Sequence, residues 1–526
     1  MTGNDPTPDE AAALPDEATG TEFDDDSELT GAVEQTSSTR RPGTAKAAAV
    51  VGARVVVGVV GIAVAAAAIL GATFADVPSI ATQPPSMVVV PVPTAQQLTC
   101  PGPLLRLSDE SGATASAVFT LGQATTRFSS SSGAVEQARI TASDAETGEA
   151  VAAPLVLSAA PDAQSPQELV RLSGAQSQSV SIGDYVGFAS AGCRAVGGDS
   201  WLVGGATTTG RTTLILLTNP TEVTSTVTLD IFGERGVVSA AGTAGIVVPP
   251  NGQRVLSLAG FAPGLASPVV HVTSTGGQIT AELQQSIVRG LDPGGVEIVG
   301  QTQLPSRSVV IPGIVVTSLE AVQALRGSVT QADDLIAAVR VFVPGEEAAT
   351  ISATLTPADT QQDVITFSLD LSAGVVTDIP VEELASGTYG LQIESDVPIV
   401  AAVRTTSAEL AAGTVTETDF AWFSASAALD DDTQFTVAAG LDATLHVVNP
   451  GADAVAVTLT SAAGVVEEFT IEPDAVLRVP VSNGTTYTLG HSATVHAGIT
   501  QAQFGLIAAY VIDPQTPGSS PLTVFP

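Results

Sequence analysis

The sequence predicts a mainly β protein: tandem immunoglobulin-like antiparallel β-sandwich modules behind a single N-terminal transmembrane helix. Three observations carry that expectation. Val55 to Ala75 form an unbroken apolar run. The long segment after it alternates apolar and polar residues, with turn signals about every 8 to 12 residues, the pattern of antiparallel strands. An apolar strand closed by an Asn, Pro or Gly turn then recurs along that segment.

Residues 1–54 come first, an acidic head rich in Asp, Glu, Thr, Pro and Gly with the run Asp24-Asp25-Asp26. It has little to bury and is expected to be a disordered cytoplasmic tail. Residues 55–75 are long enough to cross a hydrocarbon core of roughly 30 Å as a helix. Arg40, Arg41, Lys46 and Arg54 precede the run, and no Lys or Arg follows it before Arg106. By the positive-inside rule the head is cytoplasmic and the body is exported, which places the protein in the cell membrane as a single-pass protein with an extracellular body. A cleaved secretory signal ending near Thr73-Phe74-Ala75 is the alternative, though signal h-regions are shorter. Arg40-Arg41 also suggest a twin-arginine signal, but Pro42-Gly43 follow where an apolar residue is usual.

Residues 76–97 form a proline-spaced stalk containing Pro78, Pro84, Pro85, Pro91 and Pro93, in which Met87 to Val90 are a candidate edge strand. Four β modules follow, at residues 98–195, 196–310, 311–415 and 416–526. Leu214 to Leu217 lead into Thr218-Asn219-Pro220, Ala338 to Val343 into Pro344-Gly345, and Leu445 to Val448 into Asn449-Pro450-Gly451. Proline ends pairing there, and Asn or Gly accepts the turn geometry. Each block closes on two further strands about a tight turn: Val269 to Thr273 with Ile279 to Gln285, Tyr389 to Glu394 with Ile399 to Thr405, and Tyr487 to Leu489 with Thr494 to Gln501. Trp201 and Trp422 fall at equivalent places, each opening a block. A repeat of roughly 105 to 125 residues with six or seven strands has the size of an immunoglobulin-like sandwich. A β-propeller-like array ranks second, because a blade needs only four strands.

The 526 residues carry a formal charge of −36, with Lys46 the only lysine. That field excludes nucleic acid as a partner. Cys100 and Cys193 are the only cysteines, both beyond the apolar run. On an oxidising side they are expected to pair as a structural disulfide, since no C-x-x-C spacing or adjacent histidine suggests redox or metal chemistry.

The Cys100-Pro101-Gly102-Pro103 start, Cys193 followed by Asp199-Ser200-Trp201-Leu202-Val203-Gly204-Gly205, and the strand ending in Thr218-Asn219-Pro220 resemble a domain-of-unknown-function family. Its members are exported, single-span proteins of high-GC Gram-positive bacteria. The resemblance covers most of the body from about residue 98 and implies location, architecture and a connection with cell-envelope glycan assembly. It implies no activity for any residue.

The residues themselves point to no reaction. G-x-S-x-G, H-E-x-x-H and G-x-x-x-x-G-K-[ST] are all missing. Of His271, His446, His491 and His496, the closest two are an odd number of residues apart and would face opposite sides of one strand. Asp430-Asp431-Asp432 lacks the spaced ligands of a calcium loop. Gly58 and Gly61 would let two spans approach, a weak signal for dimerisation. Trp201 and Trp422 read as packing residues rather than sugar platforms. No catalytic, cofactor-binding or metal-ligating residue is assigned. The expectation is a non-enzymatic, membrane-anchored envelope scaffold or accessory subunit beside glycan-synthesis machinery, with the membrane and an envelope protein or glycan as partners. The alternative is a carbohydrate-binding or carbohydrate-processing protein.

Overall fold

A computed structural model describes residues 87–89, 95–107, 118–142, 154–161, 170–329, 332–382, 384–430, 432–515 and 522–524. The acidic head, the apolar run Val55–Ala75 and most of the stalk lie outside these residues. Among the described residues no helix is long and apolar enough to cross a membrane. Strands dominate the described residues, and the one α-helix among them is Leu319–Ser328.

The strands form pairs of sheets whose order repeats. In the last repeat one sheet orders Val476–Val481, Ala443–Val448, His496–Gln503 and Leu506–Val511; the other orders Thr433–Thr436, Thr486–His491, Val455–Ser461 and Val466–Ile471. Numbered by position within the repeat, the sheets run fifth-second-seventh-eighth and first-sixth-third-fourth. The repeat between Ser306 and Ser424 has the same two orders, and so does the one between Asp199 and Val299, where two short strands share the fourth place. Between Gln96 and Gly192 a reduced version survives, with three strands in each sheet. Alternating strands such as Ser225–Gly233 and Ala349–Pro357 bury every second residue, as a sheet with one face on a core must.

Two expectations change. The sequence pattern pairs the sixth and seventh strands about a turn, but they lie in opposite sheets. In the repeat that ends at Ser424 they are two halves of one continuous strand, Gly387–Ala411, whose first half pairs Ser306–Val316 and whose second half pairs Ala338–Phe342. The eighth strand was also missed. Asp292–Val299, Thr414–Ser424 and Leu506–Val511 each carry an unbroken run of buried residues and do not alternate. Trp422 therefore sits in a closing strand and Trp201 in an opening strand, Asp199–Val203, so the two are not equivalent. The expected breaks after residues 310 and 415 both fall inside strands, Ser306–Val316 and Thr414–Ser424.

The Asn turns follow the sequence closely. Asn219 donates from Nδ2 to the carbonyls of Val223 at 2.8 Å and Val248 at 3.1 Å, and accepts the Thr221 N–H. Asn449 does the same with Asp453 and Ile471 and accepts the Gly451 N–H. Both are fully buried and satisfy backbone carbonyls of the turn and of a neighbouring strand end.

Met87–Val89 pairs antiparallel with Leu522–Val524 instead of joining the first sheets. The chain after Cys100 then runs buried through Leu105, and side-chain amides take the place of a neighbouring strand. Gln176 brackets Gly102 through both its oxygen and its nitrogen, Gln178 accepts the Leu104 N–H, and Gln284 brackets Leu105 at 2.8 and 2.6 Å.

Candidate functional site

The inner, eighth-place strands Tyr185–Gly192, Asp292–Val299, Thr414–Ser424 and Leu506–Val511 meet in a ring, each lying mainly against two others. Such a ring is what a propeller would have, but these repeats carry two sheets each. At its centre lies Asp419, with no solvent exposure. Its Oδ2 accepts the N–H of Phe188 at 2.9 Å and, less closely, of Ile507 at 3.4 Å; its Oδ1 accepts those of Val296 at 3.1 Å and Phe420 at 3.0 Å. One carboxylate thus takes a donor from every repeat. Glycine makes the room: a Cβ on Gly187 would lie 2.8 Å from the Val296 nitrogen, and one on Gly295 would lie 2.7 Å from the Phe420 ring.

Glu297 shares this interior. Burial and the neighbouring Asp419 push its carboxyl well above the usual range, and the Ala509 backbone opposes this only in part. Burial also raises Asp419, but its four N–H donors pull the other way. Two buried carboxyls side by side do not both ionise. Both carboxyls stay raised, and the donors that surround Asp419 make it the better of the two sites for a charge and Glu297 the better site for a proton.

The second and third repeats join through a buried ionic layer. Arg340, fully buried, forks onto Asp378 at 2.8 and 2.9 Å and donates to the carbonyls of Gly205, Ala266 and Pro268. Burial opposes the Asp378 charge, but Arg340 outweighs it and holds that carboxyl below its usual range. The Arg340 guanidinium also lies 4.7 Å from the Trp422 ring centroid, and Trp422 Nε1 donates to Gln285 at 2.8 Å. Asp334 receives Arg211 at 2.8 Å and Arg289 at 3.1 Å. Trp201 stacks on His271 at 4.1 Å, and both tryptophans are buried.

Cys100 and Cys193 form a disulfide. Thr99 and Arg194, the residues flanking them, exchange backbone hydrogen bonds at 2.7 and 2.9 Å, so the covalent link continues a sheet-like bridge. Arg194 pairs with Asp513 and donates from Nη1 to the Gln301 carbonyl at 2.7 Å. This pair borders a cleft of about 370 Å³ between the first and last repeats, walled also by Gln96, Ser173, Gln434, Tyr510 and Gln515. Sequence reasoning missed Arg194 and Asp513, which lie 319 residues apart.

The histidines do not converge. His446 is buried, its ring nitrogens have no partner among the described residues, and burial lowers it to about 3. His491 and His496 lie in different strands and sheets rather than on one strand. Among the described residues no three His, Cys, Asp or Glu side chains are placed to hold a metal ion.

The fold and its buried junctions define a disulfide-linked, mainly β body built of repeated sheet pairs. The chain belongs to a family of unknown function (DUF5719), which matches residues 141–482. No curated protein and no solved structure matches it.

Proposed function

We propose that this chain is a membrane-anchored extracytoplasmic scaffold or accessory subunit of the cell envelope, built from tandem immunoglobulin-like sandwiches and carrying no reaction of its own. One observation supports this reading above the rest: the buried carboxylates, arginines and tryptophans are used at junctions between repeats. Asp419, Asp378, Arg340 and Trp422 hold the body in one arrangement. A body fixed in this way suits presentation of surfaces. The Tyr389 hydroxyl donates to the Ala385 carbonyl at 3.0 Å and the Tyr487 hydroxyl accepts the Ser482 N–H at 2.9 Å, each near the start of a sixth strand. These contacts favour the immunoglobulin-like reading, in which a tyrosine pins that corner.

The apolar run Val55–Ala75 and its one-sided cations support the tether and its direction. A reporter fused after Pro526 is expected to be active outside the membrane, and protease added to protoplasts to remove the body and spare the head. Crosslinking in intact membranes, then affinity capture, is expected to recover envelope assembly proteins; a body protected inside the cell would overturn the reading.

A second reading, binding of an envelope carbohydrate, is favoured by the amide-walled cleft at Arg194 and Asp513. It would not use Trp201 or Trp422, which are buried.

A further inference from the structure

We infer that the cleft between the first and last repeats is a binding site for a small, uncharged, hydroxyl-rich ligand, of the chemical class of a neutral mono- or disaccharide. The inference deepens the carbohydrate reading and rests on it, independently of the scaffold role. Its volume of about 370 Å³ lies within the range of small-ligand pockets, roughly 300 to 1,000 Å³, and leaves no room for a long polymer inside.

Charge decides the class. Among the described residues, Arg194 and Asp513 are the only charged side chains of the lining, and they neutralise each other. A free anion would find no unpaired cation there and would meet the field of a chain with formal charge −36. A cation would find one carboxylate already forked onto a guanidinium. Hydroxyl groups fit: they donate to Asp513, whose side chain keeps 38% of its exposure, and to the oxygens of the wall carboxamides.

The wall is also held in place before any ligand arrives. Gln434 donates from Nε2 to Ser173 Oγ at 3.1 Å and to the Ser129 carbonyl at 3.2 Å. Gln515 Nε2 donates to the carbonyls of Leu172 and Gln434, both at 3.3 Å. The Tyr510 hydroxyl accepts the Ala438 N–H and donates to the Thr436 carbonyl, which fixes its ring beside the polar groups. A ring with an occupied hydroxyl offers an apolar surface, as sugar sites need next to their hydrogen-bonding groups. Fixed groups lose little freedom on binding, which favours a weakly interacting neutral ligand.

The test is calorimetric titration of the full chain with neutral disaccharides and with uronic-acid and phosphorylated counterparts, alongside thermal melting. Neutral sugars are expected to bind, and the acidic counterparts at least tenfold more weakly. Asp513→Asn is expected to lower affinity at least tenfold. Ala195→Trp, at an exposed position on the cleft wall, is expected to abolish binding without removing a side-chain hydrogen bond or lowering the melting temperature. Tighter binding of the acidic sugars overturns the neutral class while leaving a carbohydrate site in place. Binding of no sugar at all overturns both, and equal binding to both variants and the native chain places the site elsewhere and overturns the inference.

Discussion

The backbone N–H of Phe188 reaches the carboxylate of Asp419 at 2.9 Å, across 231 residues of sequence. That hydrogen bond, with its counterparts from Val296, Phe420 and Ile507, turns a side chain into the hub of four strands. Losing the acceptor leaves several buried N–H groups unpaired. Asp419→Ala and Asp419→Asn are both expected to destabilise the body by about 3 to 5 kcal/mol, since an amide directs hydrogens at N–H groups. Glu297→Gln is expected to be nearly neutral because it mimics the protonated acid. Urea unfolding measures all three; equal losses for Glu297→Gln and Asp419→Asn would place the charge on the wrong residue.

Glu282 is expected to make stability depend on pH. Burial, against the pull of Arg194, raises its carboxyl from 4.5 to about 7. The folded state therefore binds the proton more tightly than the unfolded chain does. This contribution is complete below the unfolded value and is lost as pH rises through about 7. Glu282→Gln is expected to flatten that part of the curve; melting profiles of the two proteins that fall in parallel would rule out Glu282 as the source.

The link between Cys100 and Cys193 spans 93 residues. Alkylation of the unreduced, denatured protein is expected to label no thiol. Cys100→Ser is expected to expose Cys193 to label and to cost about 2 to 5 kcal/mol, mostly through greater freedom of the unfolded chain. Labelling of both thiols in the native sequence would contradict the pairing.

Trp422→Ala is expected to cost about 3 to 5 kcal/mol, as truncation of a buried aromatic does. Gln285→Ala is expected to cost much less in that background than in the native one, because the indole N–H that Gln285 accepts is already gone. A double-mutant cycle checks this, and simple additivity would show that the hydrogen bond contributes nothing.

What the sequence discloses follows from how local each signal is. Asn219 and Asn449 were readable because their partners lie within a few dozen residues and the turn chemistry is set by neighbours. The pairing of Cys100 with Cys193 was readable by elimination. The inner strands were not, because residues such as Val296 and Phe420 lie in unbroken buried runs and leave no period of two. Asp419 was hidden for the opposite reason: in sequence it is one acidic residue among 54. Only the meeting of four distant strands sets it apart. The glutamines that bond the backbone of Gly102, Leu104 and Leu105 were missed as well, since an amide standing in for a strand leaves no pattern in its own segment.

The ring of inner strands also constrains the order in which the protein can be made. Synthesis delivers Phe188 and Val296 before Asp419, but Ile507 emerges 88 residues after it. A nascent chain that has reached Ser424 holds the hub carboxylate with one side of its ring still open. Earlier repeats can form their sheets as they appear, yet the centre closes only when the last inner strand arrives. A chain cut short before Leu506 therefore lacks the Ile507 donor and the strand that covers the hub carboxylate on that side.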